Sequence, residues 1–153
     1  MTNEAVKVSG GCLCGRIRYE AEAFLENGYI CHCTICQKST GQPADITVLI
    51  KPGTLKYLND KPKYYVSSPG GKRGFCPECG SRLVWQALHA EDDWQTNLTV
   101  GCLDNPADAR VTCHIYADTQ LLWFQACEHL PKFTEATSGA MMEFIRNQVT
   151  PKP

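Results

Sequence analysis

Apolar and polar residues alternate along several short stretches of the chain, each bounded by Gly, Pro or Asn, and this period of two predicts β-strands. The stretches are residues 15–22, parts of 45–58, 63–67, 82–86 and 96–103. Residues 111–116 and 121–125 read as two further strands, with 117–120 as the turn between them. Helical spacing is scarce. One turn is expected after Cys36, through Lys38 and Ser39, while Met141, Met142, Ile145 and Val149 share one face of a C-terminal helix. The pattern predicts an all-β protein of short antiparallel strands with a minor C-terminal helix.

At 153 residues the chain has the length of one domain able to bury a core, and no linker, repeat or low-complexity tract divides it, so 1–153 reads as a single unit. Apolar residues at 43% and charged residues at 20% exclude disorder and coiled coil. The apolar runs 46–50 and 121–124 fall far short of the roughly 18 residues of a membrane span. The opening Met1–Gly10 lacks the basic-then-apolar pattern of a secretory signal, so the expected location is the cytoplasm. Charge is nearly balanced, at +4 up to Cys76 and −5 from Pro77 onward. That asymmetry gives no concentrated basic face for nucleic acid or anionic lipid.

Ten cysteines change the picture. Seven fall in three tight groups, Cys12/Cys14, Cys31/Cys33/Cys36 and Cys76/Cys79; Cys102, Cys113 and Cys127 stand alone. Disulfide frameworks belong mostly to shorter secreted chains, whereas close-set cysteines in a reducing compartment point to metal. On a strand, the two side chains of Cys-x-Cys point to one face about 6.6 Å apart and can converge on one ion. The segment Phe75-Cys-Pro-Glu-Cys-Gly80 has the form of a zinc knuckle, with Pro77 fixing one φ and Gly80 permitting the tight turn. Iron–sulfur clusters are also held by thiolates, but the known runs have other spacings.

Seven grouped thiolates are one short of two closed four-cysteine zinc sites. Structural zinc takes four protein ligands, whereas catalytic zinc takes three and keeps a position for water or substrate. One partition joins Cys12, Cys14, Cys76 and Cys79 in a closed site and leaves Cys31, Cys33 and Cys36 open. In the other, Cys102, Cys113, Cys127, His32 or His114 completes the second site, and both are structural.

The run Gly10-Gly-Cys-Leu-Cys-Gly-Arg-Ile-Arg-Tyr19, then Cys31-His-Cys-Thr-Ile-Cys-Gln-Lys-Ser-Thr-Gly41, then Phe75-Cys-Pro-Glu-Cys-Gly-Ser-Arg-Leu83 resembles the glutathione-dependent formaldehyde-activating enzyme family, to which centromere protein V is related. Gly101-Cys-Leu-Asp-Asn-Pro106, His114-Ile-Tyr116 and Trp123-Phe124 extend the resemblance, which covers about residues 8–133 and leaves 134–153 as a tail. The resemblance implies a tent-like all-β fold with two zinc ions per chain. It assigns Cys12, Cys14, Cys76 and Cys79 to a structural zinc, and Cys31, Cys33 and Cys36 to a catalytic one. The implied reaction joins glutathione and formaldehyde into S-hydroxymethylglutathione, a carbon–sulfur lyase chemistry. The rival function is a non-catalytic zinc module for a small thiol or a protein partner. The chain departs from the family pattern at Gln37, where a basic residue is usual, and at Cys102 and Glu128.

The remaining candidates carry plainer readings. His114 could orient substrate or relay a proton, or simply pack on its strand. His32, between two ligands on a strand, is expected to point away from the metal, and His89 and His129 carry no motif. The basic stretch Lys51, Lys56, Lys61, Lys63, Lys72 and Arg73 could attract the carboxylates of glutathione or form a solvated face. Trp85, Trp94 and Trp123 read as core or cleft aromatics, and the lone cysteines as small buried hydrophobes. A homodimer is the default association.

Overall fold

The structure is a computed structural model that describes residues 4–89, 95–125, 130–132, 134, 136 and 138–149. It divides into two compact units, residues 1–121 and 122–153. Trp94, Cys127, Glu128 and His129 lie outside the described residues.

The first unit contains β1 (Val6–Gly11), β2 (Arg18–Ala23), β3 (Gly28–Cys31), helix α1 (Thr34–Thr40), β4 (Asp45–Leu49), β5 (Lys56–Tyr57), β6 (Lys63–Ser68), β7 (Gly71–Phe75), β8 (Arg82–Ala87), β9 (Thr96–Thr99) and β10 (Val111–Ile115). They form a three-stranded sheet, β1-β2-β5, and a seven-stranded sheet, β10-β3-β4-β9-β8-β7-β6. The chain is mostly strand with few helices, as the alternation predicts.

Two details differ from expectation. Strand β10 runs parallel to β3, while the other pairs are antiparallel. Alternation marks a strand but carries no information on its direction, and β10 returns to β3 from far along the chain. Residues 122–125, expected as strand, form the short helix α2 (Leu122–Gln125). A four-residue apolar run is too short for its period to tell strand from helix.

The pairing register gives the large sheet two chemically distinct faces. On one, Ile30 opposes Ile46, Val48 opposes Leu98, Leu98 opposes Val84 and Val84 opposes Gly74. Val48, Leu98 and Val84 are buried there with Ile17, Tyr19, Ala21 and Ala23 from around the small sheet, and these form the core. Burying such aliphatic side chains contributes roughly 1.5–3 kcal/mol each.

The other face runs through Cys31↔Asp45, Tyr29↔Thr47, Leu49↔Asn97, Asn97↔Trp85, Trp85↔Arg73 and Arg73↔Tyr65. It gathers cysteine, carboxylate, amide and guanidinium. A register shift between Gly74 and Phe75 on β7 places Leu83 and Val84 together in the core and brings Arg82 opposite Phe75 on the polar face.

The second unit contains α2 and α3 (Ser138–Val149). The latter agrees with the helical spacing of Met141, Met142 and Ile145, of which Met142 and Ile145 are exposed.

Candidate functional site

Cys12, Cys14, Cys76 and Cys79 come from two turns. Neither member of Cys12/Cys14 lies on a strand: β1 ends at Gly11, and the chain turns with Gly15 N–H donating to Cys12 C=O and Cys12 N–H to Ile17 C=O. The second turn is built alike. Gly80 N–H donates to Cys76 C=O, Cys76 N–H to Ser81 C=O, and Gly80 sits at φ +74°, the left-handed region open to glycine. Leu13 N–H donates to Ser81 Oγ at 3.0 Å and ties the two turns together.

The four sulfurs lie within 4.8 Å of one another, with Cys12 Sγ 3.4 Å from Cys14 Sγ and Cys14 Sγ 3.8 Å from Cys76 Sγ. Tetrahedral zinc with sulfur at about 2.3 Å needs sulfurs about 3.8 Å apart, so the set fits such an ion closed on all sides. In the metal-free chain the Ser81 hydroxyl, followed by the Ser81 amide, pulls the Cys79 thiol down to about 5. An amide N–H also points at Cys12 Sγ, from Ile17 at 3.2 Å. These donors favour the thiolates that a metal requires.

The second cluster is Cys31, Cys33 and Cys36, again within 4.8 Å. Cys31 ends β3 and Cys36 lies in α1, while Cys33 caps that helix, its sulfur accepting from Cys36 N–H at 3.3 Å. The three thiols therefore converge from a strand end, a cap and a first turn, and not from one extended strand. No fourth Cys, His, Asp or Glu joins this group among the described residues; Cys102, Cys113, His32 and His114 are not part of it.

The three-cysteine cluster opens on a cavity of about 230 Å³. The cavity wall is the polar sheet face, with Tyr29, Asp45, Trp85, Asn97 and Arg73 facing the cysteines and Tyr116 among the further lining residues. The indole of Trp85 lies where a side chain at residue 71 would stand, a Cβ there being 2.3 Å from the ring, so Gly71 makes room for it.

Arg73 is buried, with Nη2 3.3 Å from Cys36 Sγ and Nη1 bonded to Ser67 Oγ. In the metal-free chain the hydrogen bond from Cys31 and that from Arg73 pull the Cys36 thiol down to about 6, against burial. Cys31 shifts upward by the same contact with Cys36 and by its burial. Asp45 forms a buried ion pair with Arg82. Burial holds the Asp45 carboxyl above its ordinary range despite that guanidinium. Asp45 Oδ1, Thr47 Oγ1 and Asn97 Oδ1 are buried with no hydrogen-bond partner in the structure. Buried polar atoms are normally paired, so this wall suits a polar ligand.

His114 does not line the cavity. Its ring stacks on that of His32 at 5.1 Å, and its Nδ1 lies 2.8 Å from His32 Nε2. His32 is fully buried beside its two cysteine neighbours and outside their sulfur cluster. Gln37 donates through Nε2 to His32 C=O at 2.7 Å and Thr119 C=O at 3.0 Å, fixing the cysteine loop to the turn after β10. Cys113 is exposed on β10 at the sheet edge, contrary to its reading as a buried hydrophobe. Cys102 is half-buried and donates to Arg82 C=O.

Asp45, Tyr29 and Asn97 were not singled out by the sequence, because none belongs to a cysteine motif, and Arg82 stands in the Phe75–Leu83 run with no role assigned to it. Arg73 was hidden in a basic stretch. Tyr116, at φ +54°, is the one described non-glycine residue with positive φ, and it stands at this cavity.

A family model for the glutathione-dependent formaldehyde-activating enzyme matches residues 7–119. Among solved structures, the crystal structure of a Rhodobacter sphaeroides protein matches with a TM-score of 0.56 and 21% identity, over 69% of this chain and 98% of that chain. At that identity the likeness bears on the fold alone. No curated protein matches the chain.

Proposed function

The chain belongs to the glutathione-dependent formaldehyde-activating enzyme family, and we propose that it joins glutathione to formaldehyde, giving S-hydroxymethylglutathione in the carbon–sulfur lyase class. The observation that carries this reading is the second cluster: three buried or half-buried cysteines, no fourth ligand in their group among the described residues, and a cavity in front of them. Cys12, Cys14, Cys76 and Cys79 would hold a structural zinc; Cys31, Cys33 and Cys36 would hold a second one. Zinc at the three-cysteine site would supply a thiol-binding position at which the sulfur loses its proton near neutral pH.

In the reaction, sulfur attacks the aldehyde carbon, a carbon–sulfur bond forms, and the carbonyl π pair moves to oxygen. That oxygen takes a proton equivalent to the one the thiol gave up. The protein's own part is positioning. Arg73 holds Cys36 by a hydrogen bond to its sulfur, Gln37 fixes the loop that carries all three cysteines, and Trp85 and Tyr29 wall the cavity. A reducing compartment, the cytoplasm in our reading, keeps the grouped cysteines as thiols.

Zinc-edge X-ray absorption tests the proposal. One closed and one open site average about 3.5 sulfurs per zinc, and added glutathione raises this to about 4. An average already near 4 that glutathione leaves unchanged would mark a structural zinc module and end the enzyme reading. Substitution separates the clusters further. Cys36→Ser is expected to keep the fold and lose glutathione-dependent turnover above the spontaneous rate, whereas Cys76→Ser is expected to lose the folded state.

A further inference from the structure

The polar face of the large sheet continues past the cysteine cavity into a second one. Register places Lys63 opposite Phe75, Tyr65 opposite Arg73 and Arg82 opposite Phe75, so Lys63, Arg73 and Arg82 share one face across β6, β7 and β8. All three line a cavity of about 450 Å³, together with Ser39, Tyr64 and Tyr65 among others, and no carboxylate among the described residues lines it. Arg73 and Arg82 also line the cysteine cavity, so the two spaces adjoin through these guanidinium groups.

The charges on this wall are unevenly answered. Arg82 is paired with Asp45, which lines only the cysteine side. Neither Arg73 nor Lys63 has a carboxylate within ion-pair distance among the described residues. Arg73 is 4% exposed and its Nε–H has no partner in the structure; the same holds for the Nε–H of Arg82. A buried guanidinium left with an unused N–H is costly unless an acceptor arrives, and its planar fork matches a carboxylate.

We propose that this cavity is a carboxylate subsite: it receives a carboxylate of the thiol substrate through Lys63 and Arg73, while the sulfur of the same molecule reaches Cys31, Cys33 and Cys36 next door. The proposal rests on the reading that a thiol is activated at that cluster. Its added content is a selectivity, for thiols that carry a carboxylate over neutral thiols of equal reactivity. It also selects Lys63 and Arg73 from the basic stretch as the residues that meet substrate. Lys51, Lys56 and Lys61 line neither of these cavities.

The test compares glutathione with its diethyl ester, in which both carboxylates are neutral, on the wild-type zinc protein and on Lys63→Glu and Lys63→Met. Lys63 is exposed, so both variants are expected to fold, and their melting temperatures check this. In the wild type, the KM for glutathione should lie about tenfold below that for the diester and rise with salt. Lys63→Glu should raise the glutathione KM about tenfold, leave kcat in place and leave the diester unchanged. Calorimetry with S-methylglutathione, whose sulfur cannot ionise, should show the same loss of binding in Lys63→Glu without any turnover. Equal KM values for acid and ester, or S-methylglutathione binding that ignores Lys63, would overturn the subsite. Absence of turnover with acid and ester alike would sink the thiol-activation reading, and the S-methylglutathione isotherm would still decide the subsite.

Discussion

The guanidinium of Arg73 stands 3.3 Å from the sulfur of Cys36, and both side chains are buried. A cation in that position, together with Cys31, favours the thiolate before any metal arrives. In metal-free, reduced protein, Cys36 should alkylate with a pH midpoint of about 6. Arg73→Met should move the midpoint upward, and a rise of about one pH unit should slow alkylation at pH 6 about fivefold, as the thiolate fraction falls from about a half to about a tenth. Mass-spectrometric footprinting of Cys36 reads this; an unmoved midpoint would show that the neighbouring cysteines, Cys31 and Cys33, set the acidity.

The Asp45–Arg82 pair presents a different balance. Burial disfavours the Asp45 charge more than Arg82 favours it, so the pair is not a net source of stability, yet breaking it strands a charge. Asp45→Ala should therefore cost about 3–5 kcal/mol in urea unfolding. A loss under about 1 kcal/mol would mean that water reaches Arg82 freely.

Asp104 supplies a pH signature. It accepts from Arg18 at 2.5 and 2.8 Å and from Ser9 at 2.5 Å, and the Arg18 contact first, then Ser9, holds its carboxyl down at about 2. Because the folded value lies below the unfolded one of about 3.9, the contribution is complete above about pH 4 and is lost as pH falls through about 2. Both partners are more than a third exposed, so the full effect is about 1 kcal/mol or less. The melting temperature of Asp104→Asn should sit slightly below wild type at pH 7, and the gap should close between about pH 4 and pH 2.

Gly71 is the place where one methyl group should disturb the cavity most. A Cβ there would meet the Trp85 ring at 2.3 Å. Gly71→Ala should cost about 1–3 kcal/mol in thermal unfolding and change the near-ultraviolet dichroism of the tryptophans. Gly70→Ala next to it has open space and should be silent in both.

The alternation in 63–67 and 82–86 announced β6 and β8, and the cysteine spacings marked all seven sulfurs that the fold gathers into two groups. Strand β7 was invisible because Gly71-Lys-Arg-Gly-Phe75 shows no alternation of apolar and polar residues. Its glycines are required by the tryptophan and tyrosine rings packed against them, which only the fold reveals. The cavity wall was equally hidden. Asp45, Asn97 and Arg73 meet through the ladder β4-β9-β8-β7, and such pairings join residues that sequence spacing leaves unrelated. Cys31 and Cys33 converge for a local reason, a helix starting at Thr34, which Cys-x-Cys spacing alone did not specify.

The alternation of faces also sets how this scaffold can change over evolutionary time. Odd positions of β4 and β9, such as 45, 47 and 97, line the cysteine cavity, while even ones, such as 48 and 98, meet the core. Substitutions at 47 and 97, which unlike Asp45 hold no ion pair, change the cavity wall without stranding a charge, and a library confined to them would sample chemistry on an intact frame. Strand β8 breaks the rule. There the register shift sends Leu83 and Val84 to the core together, so an insertion or deletion near Gly74 would exchange lining for core at one stroke. New specificities on this frame should therefore arise by substitution on the polar face, with the length between Gly74 and Val84 held constant.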